Sequence, residues 1–193
     1  MTDRVGEVVE ASTTEFVAQC YELHQPPPFG SLVRTTDGEV DIYGVVSSAA
    51  TTSIEPGRRP IARGSLEATE ADVYRSSPQL AKLLRTDFTA LVLGYRDNDA
   101  PRHCLPPRPA RIHSFAFICD GEEVAQFTRS LDFLSILVDA PAPVGELVAA
   151  TLRHAAAAHE DRRAFLVRAG KELATLLGAE TQRLNALLRR LRA

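Results

Sequence analysis

Four stretches near the start of the chain decide its fold: Arg4–Ala11 (RVGEVVEA), 13–24 (TTEFVAQCYELH), 30–36 (GSLVRTT) and 40–52 (VDIYGVVSSAATT). Each is rich in Val, Ile, Thr, Phe or Tyr, and they recur about every ten residues. A proline-rich corner at 26–30 and the Asp37-Gly38 turn lie between them. Short β-branched strands divided by turn signals predict an all-β barrel or sandwich.

Two later stretches complete the predicted barrel. Residues 88–95 (FTALVLGY) predict a strand, and residues 111–119 (RIHSFAFIC) predict the closing strand because their side chains alternate between two faces. We also expect a short strand near 60–62 and helices at 69–74 and 77–85, the last with Ser77 as N-cap and Pro78 after it. We expect eight apolar residues of this domain to be mostly buried: Val5, Val8, Phe16, Leu32, Val33, Ile42, Val45 and Phe117.

Beyond residue 119 the pattern changes from strands to helices. Asp120 and Glu123 form a capping-box start, and apolar residues follow at helical spacing through 138. Three more helices are expected at 144–159, 162–177 and 179–192. The chain is therefore predicted to divide into a β-rich domain, 1–119, with a helical insertion at about 69–86, and an α-helical domain, 120–193. The helices carry more apolar surface than a short bundle can hide, so we expect them to pack on the barrel or on a second copy.

Composition indicates an ordinary globular protein. Of 193 residues 45% are hydrophobic and 24% are charged, and no apolar run approaches the roughly 20 residues of a membrane helix. The N-terminus lacks a basic-then-apolar leader, and the three cysteines, Cys20, Cys104 and Cys119, are too scattered for a disulfide framework. We therefore expect a cytoplasmic protein that is not bound to a membrane.

Charge is distributed unevenly along the chain. Residues 1–100 carry 9 Lys and Arg against 15 Asp and Glu, a net charge of −6, whereas residues 162–193 carry 8 against 2, a net charge of +6. A basic tail on an acidic body can bind nucleic acid, an acidic partner or the acidic half of another copy. The charge pattern leaves all three open.

No catalytic motif accompanies this pattern. A phosphate-binding loop needs two glycines five residues apart before its lysine, but Phe165 stands five residues before Gly170-Lys171, and Glu172 follows. The spacings among His103, Cys104, His113 and Cys119 do not match those of zinc sites. His154 and His159 are five residues apart, so they lie on different faces of one predicted helix and are expected to be solvated surface residues. We therefore expect no enzyme, no bound nucleotide, no metal and no cofactor.

The N-terminal half resembles a known domain family. The residues that carry the resemblance are Gly6 and Val8, Thr14, Phe16 and Gln19, Gly30-Ser31-Leu32-Val33 and Tyr43-Gly44-Val45-Val46. This pattern is similar to the HAS-barrel, the N-terminal domain shared by HerA-type DNA-translocating ATPases and rotary ATP synthase subunits. The resemblance implies an α+β protein whose small antiparallel barrel is Greek-key-like and works as a subunit-interaction module. It implies a stand-alone form, because the ATPase motor is missing.

Two basic clusters are candidate binding residues. Arg102, His103, Arg108 and Arg111 lie on a loop that its prolines stiffen, so cationic side chains there would lose little entropy on binding. A solvated, structurally rigid connection explains the same residues. The tail offers Arg183, Arg189, Arg190 and Arg192, although leucines at helical spacing favour a packed helix with its arginines outward. Because exposed charges contribute little to folding, reversing Arg108 and Arg111 should leave stability nearly unchanged.

The sequence therefore predicts a non-enzymatic assembly or adaptor protein that contacts a protein partner or associates with itself. The alternative is a nucleic-acid-associated accessory factor that partners a HerA-like DNA-processing ATPase. The steep salt dependence of phosphate contacts would separate the two.

Overall fold

The computed structural model describes residues 3–55, 57, 59–97, 100–141, 143–178 and 180–191. Its strands are β1 Arg4–Ala11, β2 Glu15–Cys20, β3 Leu32–Thr36, β4 Asp41–Ser53, β5 Leu84–Arg96 and β6 Phe115–Ile118. Its helices are α1 Glu70–Ser76, α2 Leu80–Leu83, α3 Gly121–Phe127, α4 Phe133–Val138, α5 Val144–Ala157, α6 Arg162–Leu177 and α7 Thr181–Leu191.

The six strands close into an antiparallel barrel in the order β1-β2-β5-β4-β3-β6. The short strand β6 closes it by pairing with β1 on one side and β3 on the other. Alternate residues point inward and form a barrel core that includes Val8, Phe16, Ile42, Phe88 and Ala116. The predicted antiparallel barrel with a helical C-terminal region is confirmed.

Several predicted strand limits were wrong. Residues 59–62 form no strand, and β2 ends at Cys20, after which His24 adopts a left-handed φ of 65°. The stretch 111–114 is a turn in which His113 has a φ of 71°, so β6 has four residues. Because Ala116 faces the core, Phe117 is only half-buried and the Arg34 guanidinium lies 5.2 Å from its ring.

The helices also differ from expectation at their ends. The stretch 120–138 forms two helices, because α3 ends at Phe127 and the Thr128 hydroxyl donates to the Val124 carbonyl at 2.7 Å. The helix expected at 77–85 is the single turn α2, since β5 already begins at Leu84. The three rear helices α5, α6 and α7 lie where the pattern predicts them.

The strand wall of β3, β4 and β5 separates two hydrophobic cores. Its inward side chains belong to the barrel, whereas Leu32, Tyr43, Val45, Leu91 and Leu93 point outward beneath the helices. The outer core continues through α3 to α7 with Phe127, Phe133, Leu134, Leu147, Leu152, Phe165, Leu173 and Leu187. The helical region therefore packs on the barrel, which is one of the two arrangements expected. Residues 1–119 and 120–193 share this outer core.

An ionic network fastens α3 to the barrel. Arg34 donates to Glu123 of α3 at 2.9 Å and to Asp41 at 3.2 Å, and Arg96 donates to the second Asp41 oxygen at 2.8 Å. These side chains are mostly shielded from solvent, so the network helps to fix the start of α3 on the strand wall.

The connection between β4 and β5 projects from the barrel. The two strands stay paired as far as Ser53 and Leu84, and residues 54–83, here called the arm, join them. In the part of the arm that the structure describes, neither α1 nor α2 buries a residue. His24 holds α1 near the barrel, because its Nε2 lies 2.7 Å from the Tyr74 hydroxyl and its backbone N–H donates to Thr86.

Candidate interaction surfaces

The arm exposes large apolar side chains. Leu66 is 97% exposed and Ile61 is 73% exposed, while Ile54 and Tyr74 are also accessible. Apolar side chains in loops are commonly half-buried. Two aliphatic side chains that are mostly exposed to solvent on one projecting segment favour a contact surface. We therefore treat the arm as the first candidate surface.

The arm also encloses a cavity of about 180 Å³ at its base. Pro60, Ile61, Leu80, Leu83 and Leu84 supply its apolar lining, and Ser53, Glu55, Arg59 and Arg63 line it as well. The helix beside it is fixed locally: Thr69 accepts a hydrogen bond from the Asp72 backbone N–H, and the Asp72 carboxylate accepts one from Thr69 N–H in return. The cavity is thus lined by five apolar residues, with Arg59, Arg63 and Glu55 as its charged residues.

A second candidate surface lies on the outside of β1 and β6. The Arg4 guanidinium lies 5.1 Å from the Tyr21 ring centre and 4.5 Å from that of Phe115. Both residues are about half exposed, at 49% and 44%. Glu7 accepts from the Tyr21 hydroxyl at 3.3 Å and lies 2.5 Å from His113 Nδ1. Partial burial and the nearby Glu7 carboxylate raise the pKa of Tyr21, so this hydroxyl stays protonated.

A cavity of about 440 Å³ opens beside this cluster. It is lined by Asp3, Arg4, Val5, Tyr21, Glu22, Gln25, Pro26, Pro27 and Ile118. We call the cluster and this cavity together the acidic-aromatic patch. Its exposed rings and carboxylates suit a partner that offers cations and apolar side chains.

The predicted basic loop is not a single cluster of free cations. Arg108 donates from Nε to the Asp37 carboxylate at 3.2 Å and pairs with Glu39 through its terminal nitrogen. Asp37 is the buried end of the β3–β4 turn and also accepts from the N–H groups of Glu39 and Val40. Arg108 therefore holds a turn of the barrel, which makes it a structural residue.

The other three residues of that loop have separate surroundings. Arg102 pairs through its backbone with Tyr95, and its guanidinium lies over the Tyr95 ring at 5.9 Å. Arg111 is exposed and its side chain crosses the turn glycine Gly38. His103 packs against Phe127 and Phe133 and shares a hydrogen bond with the Phe127 carbonyl at 2.9 Å. Burial lowers the pKa of His103, so it is uncharged at neutral pH and serves packing.

Arg108→Glu is expected to lower the melting temperature, contrary to the expectation from the sequence that the exposed loop charges add little stability. It places a second carboxylate against the buried Asp37, which loses its cation. Asp37→Ala is expected to cost about 1–3 kcal/mol, because two N–H donors lose their acceptor. Thermal unfolding measures both, with Arg111→Glu as the control that should change little. Equal effects of Arg108→Glu and Arg111→Glu would refute this role.

The same turn should respond to acid. Burial raises the pKa of Asp37, but the two backbone donors and Arg108 outweigh it and the net pKa is lowered. A lowered pKa in the folded state gives stability that is present above about pH 4 and is lost as pH falls toward that pKa. Asp37→Ala should therefore flatten the loss of stability between about pH 4 and pH 2. Chemical denaturation at several pH values measures it.

Two of the four tail arginines hold α7 in place. Arg183 donates to the Val138 carbonyl and lies 3.2 Å from Glu180, and Arg190 pairs with Glu146 at 2.5 Å. Arg189 is exposed and has no partner among the residues described. Arg192 lies outside the described residues. The tail thus presents fewer available cations than its composition indicates.

Of the two histidines predicted to be solvated surface residues, His154 is exposed, whereas His159, just after the end of α5, is partly buried. His159 stacks on Phe165 with ring centres 4.2 Å apart and shares a hydrogen bond with the Thr128 hydroxyl. Burial, with help from Arg168, lowers the pKa of His159. His154 is exposed and lies 3.2 Å from the Phe29 carbonyl. Both histidines therefore connect structural elements.

Metal ligands and thiols are two further kinds of group to consider among the described residues. No group of three or more His, Cys, Asp or Glu side chains is arranged to hold a metal ion in the ranges that the structure covers. Burial raises the pKa of Cys20 to about 11 and raises that of Cys119 as well, so both remain thiols. Among the same residues, no helix has the length and apolar character needed to cross a membrane.

Neither candidate surface was predicted from the sequence. The sequence pattern places Ile61 in a short strand and Leu66 in no predicted element, although aliphatic residues in a Pro- and Gly-rich loop are themselves a signal of a contact surface. The patch joins residues 4, 7 and 21, which the pairing of β1 with β2 brings together, to residue 115, which reaches them only through the pairing of β6 with β1. No local pattern could have shown it.

No protein-family model matches this chain, and no curated protein matches it.

Proposed function

We propose that this protein is a non-enzymatic assembly protein that uses its arm to bind another protein in the cytoplasm. The observation that carries the proposal is the exposure of Ile61 and Leu66 on a projecting segment whose helices bury no residue. Burying one such side chain stabilises a complex by roughly 1.5–3 kcal/mol. Two of them can therefore act as the apolar anchors of a contact.

The barrel is the scaffold in this proposal. Strands β3 to β6 follow one another in the spatial order β5-β4-β3-β6, which supports a Greek-key arrangement. We propose that it is a HAS-type barrel, in agreement with the resemblance of Gly30-Ser31-Leu32-Val33 and its neighbouring segments to that domain. The long β4–β5 ladder then carries the arm away from the barrel wall.

A role in nucleic-acid processing beside a HerA-like ATPase receives less support. Arg183 is engaged with Glu180, just before α7, Arg190 with Glu146 of α5, and Arg108 holds a barrel turn. Phosphate contacts need cations that are free to leave their partners. An assembly role requires only the exposed apolar side chains of the arm.

The test places a photo-crosslinking amino acid at Leu66 and, as a control, at Val167 of α6, which is 52% exposed. The full-length protein is irradiated in an extract of its native host. We expect a protein adduct from position 66 that resists nuclease and is absent from position 167. Excess wild-type protein should suppress it, whereas Ile61→Asp with Leu66→Asp should not.

Two results would refute the proposal. One is an equal pattern of adducts from both positions. The other is suppression by the double variant as strong as by wild type. Because Ile61 and Leu66 are exposed, the double variant should keep its melting temperature, and that measurement excludes unfolding as the cause.

A further inference from the structure

We propose that the arm binds the acidic-aromatic patch of a second copy of this chain. The proposal rests on the function proposed above and names the partner. Arm and patch offer opposite charge and matching apolar groups, and one chain carries both. A contact between such unlike surfaces occurs twice in a symmetric dimer or once per protomer in a ring.

Charge complementarity is the first argument. Arg59 and Arg63 line the arm cavity, and both are exposed without an ion pair to any residue that the structure describes. The arm cavity has two arginines against one acid, Glu55, whereas the patch cavity has two acids, Asp3 and Glu22, against one cation, Arg4. The arm and the patch of this chain therefore carry opposite charges, and opposite potentials steer two copies together.

Apolar complementarity is the second argument. The patch exposes the rings of Tyr21 and Phe115, and the arm exposes Ile61 and Leu66. Aromatic residues with one polar end are common at interfaces, where they bury area and still satisfy their hydroxyl. The Tyr21 hydroxyl already donates to Glu7, so its ring can be covered without leaving a polar group unpaired.

The charges of the patch also favour an arginine partner over an acidic one. Arg4 already lies between the two rings and covers part of their faces, but the Asp3 and Glu22 carboxylates stay exposed. A guanidinium can pair with such a carboxylate through two nitrogens and lie flat on a ring. Arg59 and Arg63 supply that group beside Ile61.

The experiment measures self-association of the full chain by sedimentation velocity across concentrations and salt. Two variants are compared with wild type: an arm variant, Arg59→Glu with Arg63→Glu, and a patch variant, Asp3→Arg with Glu22→Arg. Each should raise the dissociation constant about a hundredfold, because like charges then face each other. An equimolar mixture of the two variants should associate again, since the reversed arm fits the reversed patch. Wild-type association should weaken from about 50 mM to about 500 mM salt.

Matched controls separate this contact from net charge. Arg162→Glu with Arg163→Glu reverses two neighbouring exposed arginines at the start of α6, and Glu160→Arg reverses an exposed acid nearby. Neither should change the association. A wild type that stays monomeric, a mixture that does not recover, or controls that act like the arm variant would overturn the proposal. If the chain stays monomeric while Leu66 still crosslinks specifically to a different protein, the assembly function survives and only the second copy is refuted.

Discussion

Replacing Gly30 with alanine is expected to destabilise the protein by about 2–5 kcal/mol. Gly30 has a φ of +82°, and a Cβ there would lie 2.5 Å from the Ala150 side chain and 2.8 Å from the Thr151 nitrogen of α5. The left-handed backbone costs a non-glycine residue about 1–2 kcal/mol, and the overlap adds about 1–3 kcal/mol more. A loss of this size is a large part of the stability of an ordinary domain.

Gly57→Ala is the control for that measurement. Gly57 has a φ of +77°, close to that of Gly30, but nothing lies within 4 Å of the Cβ that it would gain. Its substitution should cost only about 1–2 kcal/mol for the left-handed backbone, and less if the loop relaxes. Denaturant unfolding compares the two variants, and an equal loss of free energy in both would show that Gly30 does not set the distance between the corner and α5.

Phe127→Ala is expected to cost about 3–5 kcal/mol of the free energy of unfolding. Phe127 is 1% exposed and its ring centre lies 5.0 Å from Tyr43, 4.7 Å from His103 and 5.9 Å from Phe133. Its removal leaves a cavity where the strand wall, the proline-rich loop and α4 meet. Unfolding monitored by both circular dichroism and tyrosine fluorescence measures the loss.

Phe115→Ala removes the same side chain from an exposed position and serves as the control. Phe115 is 44% exposed, so we expect a change within about 0.5–1 kcal/mol. If Phe127→Ala were as mild, or if the helices melted separately while the barrel stayed folded, the shared outer core would not couple the two regions as described.

Barrel and helices could be predicted because their signals are local. The β-branched runs around Val8, Val33 and Ile42 and the helical spacing in 162–177 each specify an element without help from the rest of the chain. The limits that were missed depend on distant contacts. The stretch from Leu84 reads as helix but extends β5, because residues 48–53 of β4 pair with it. Tertiary pairing outweighs local preference there.

The candidate surfaces were harder to predict from the sequence because they, too, depend on contacts between distant residues. A count of charges cannot distinguish Arg108, which neutralises a buried carboxylate, from Arg111, which is exposed. His103 looked like a cation on a loop, but Phe127 and Phe133, which pack against it, lie more than twenty residues later. Local composition predicts which residues are charged, whereas the fold decides which charges remain available to a partner.

The closing strand β6 makes the order of folding uneven. The β3–β4 ladder begins between Thr36 and Asp41, which are only five residues apart along the chain, whereas β6 brings Phe117 to Arg4 across more than 100 residues. The chain-entropy cost of closing a loop rises with the logarithm of its length, so the β6 contact costs about 3 kcal/mol more than the hairpin. We therefore expect the meander of β3, β4 and β5 to form early and β6 to join late. Until then β1 and β3 present unpaired edges, and that interval is when the chain is most exposed to aggregation through strand addition.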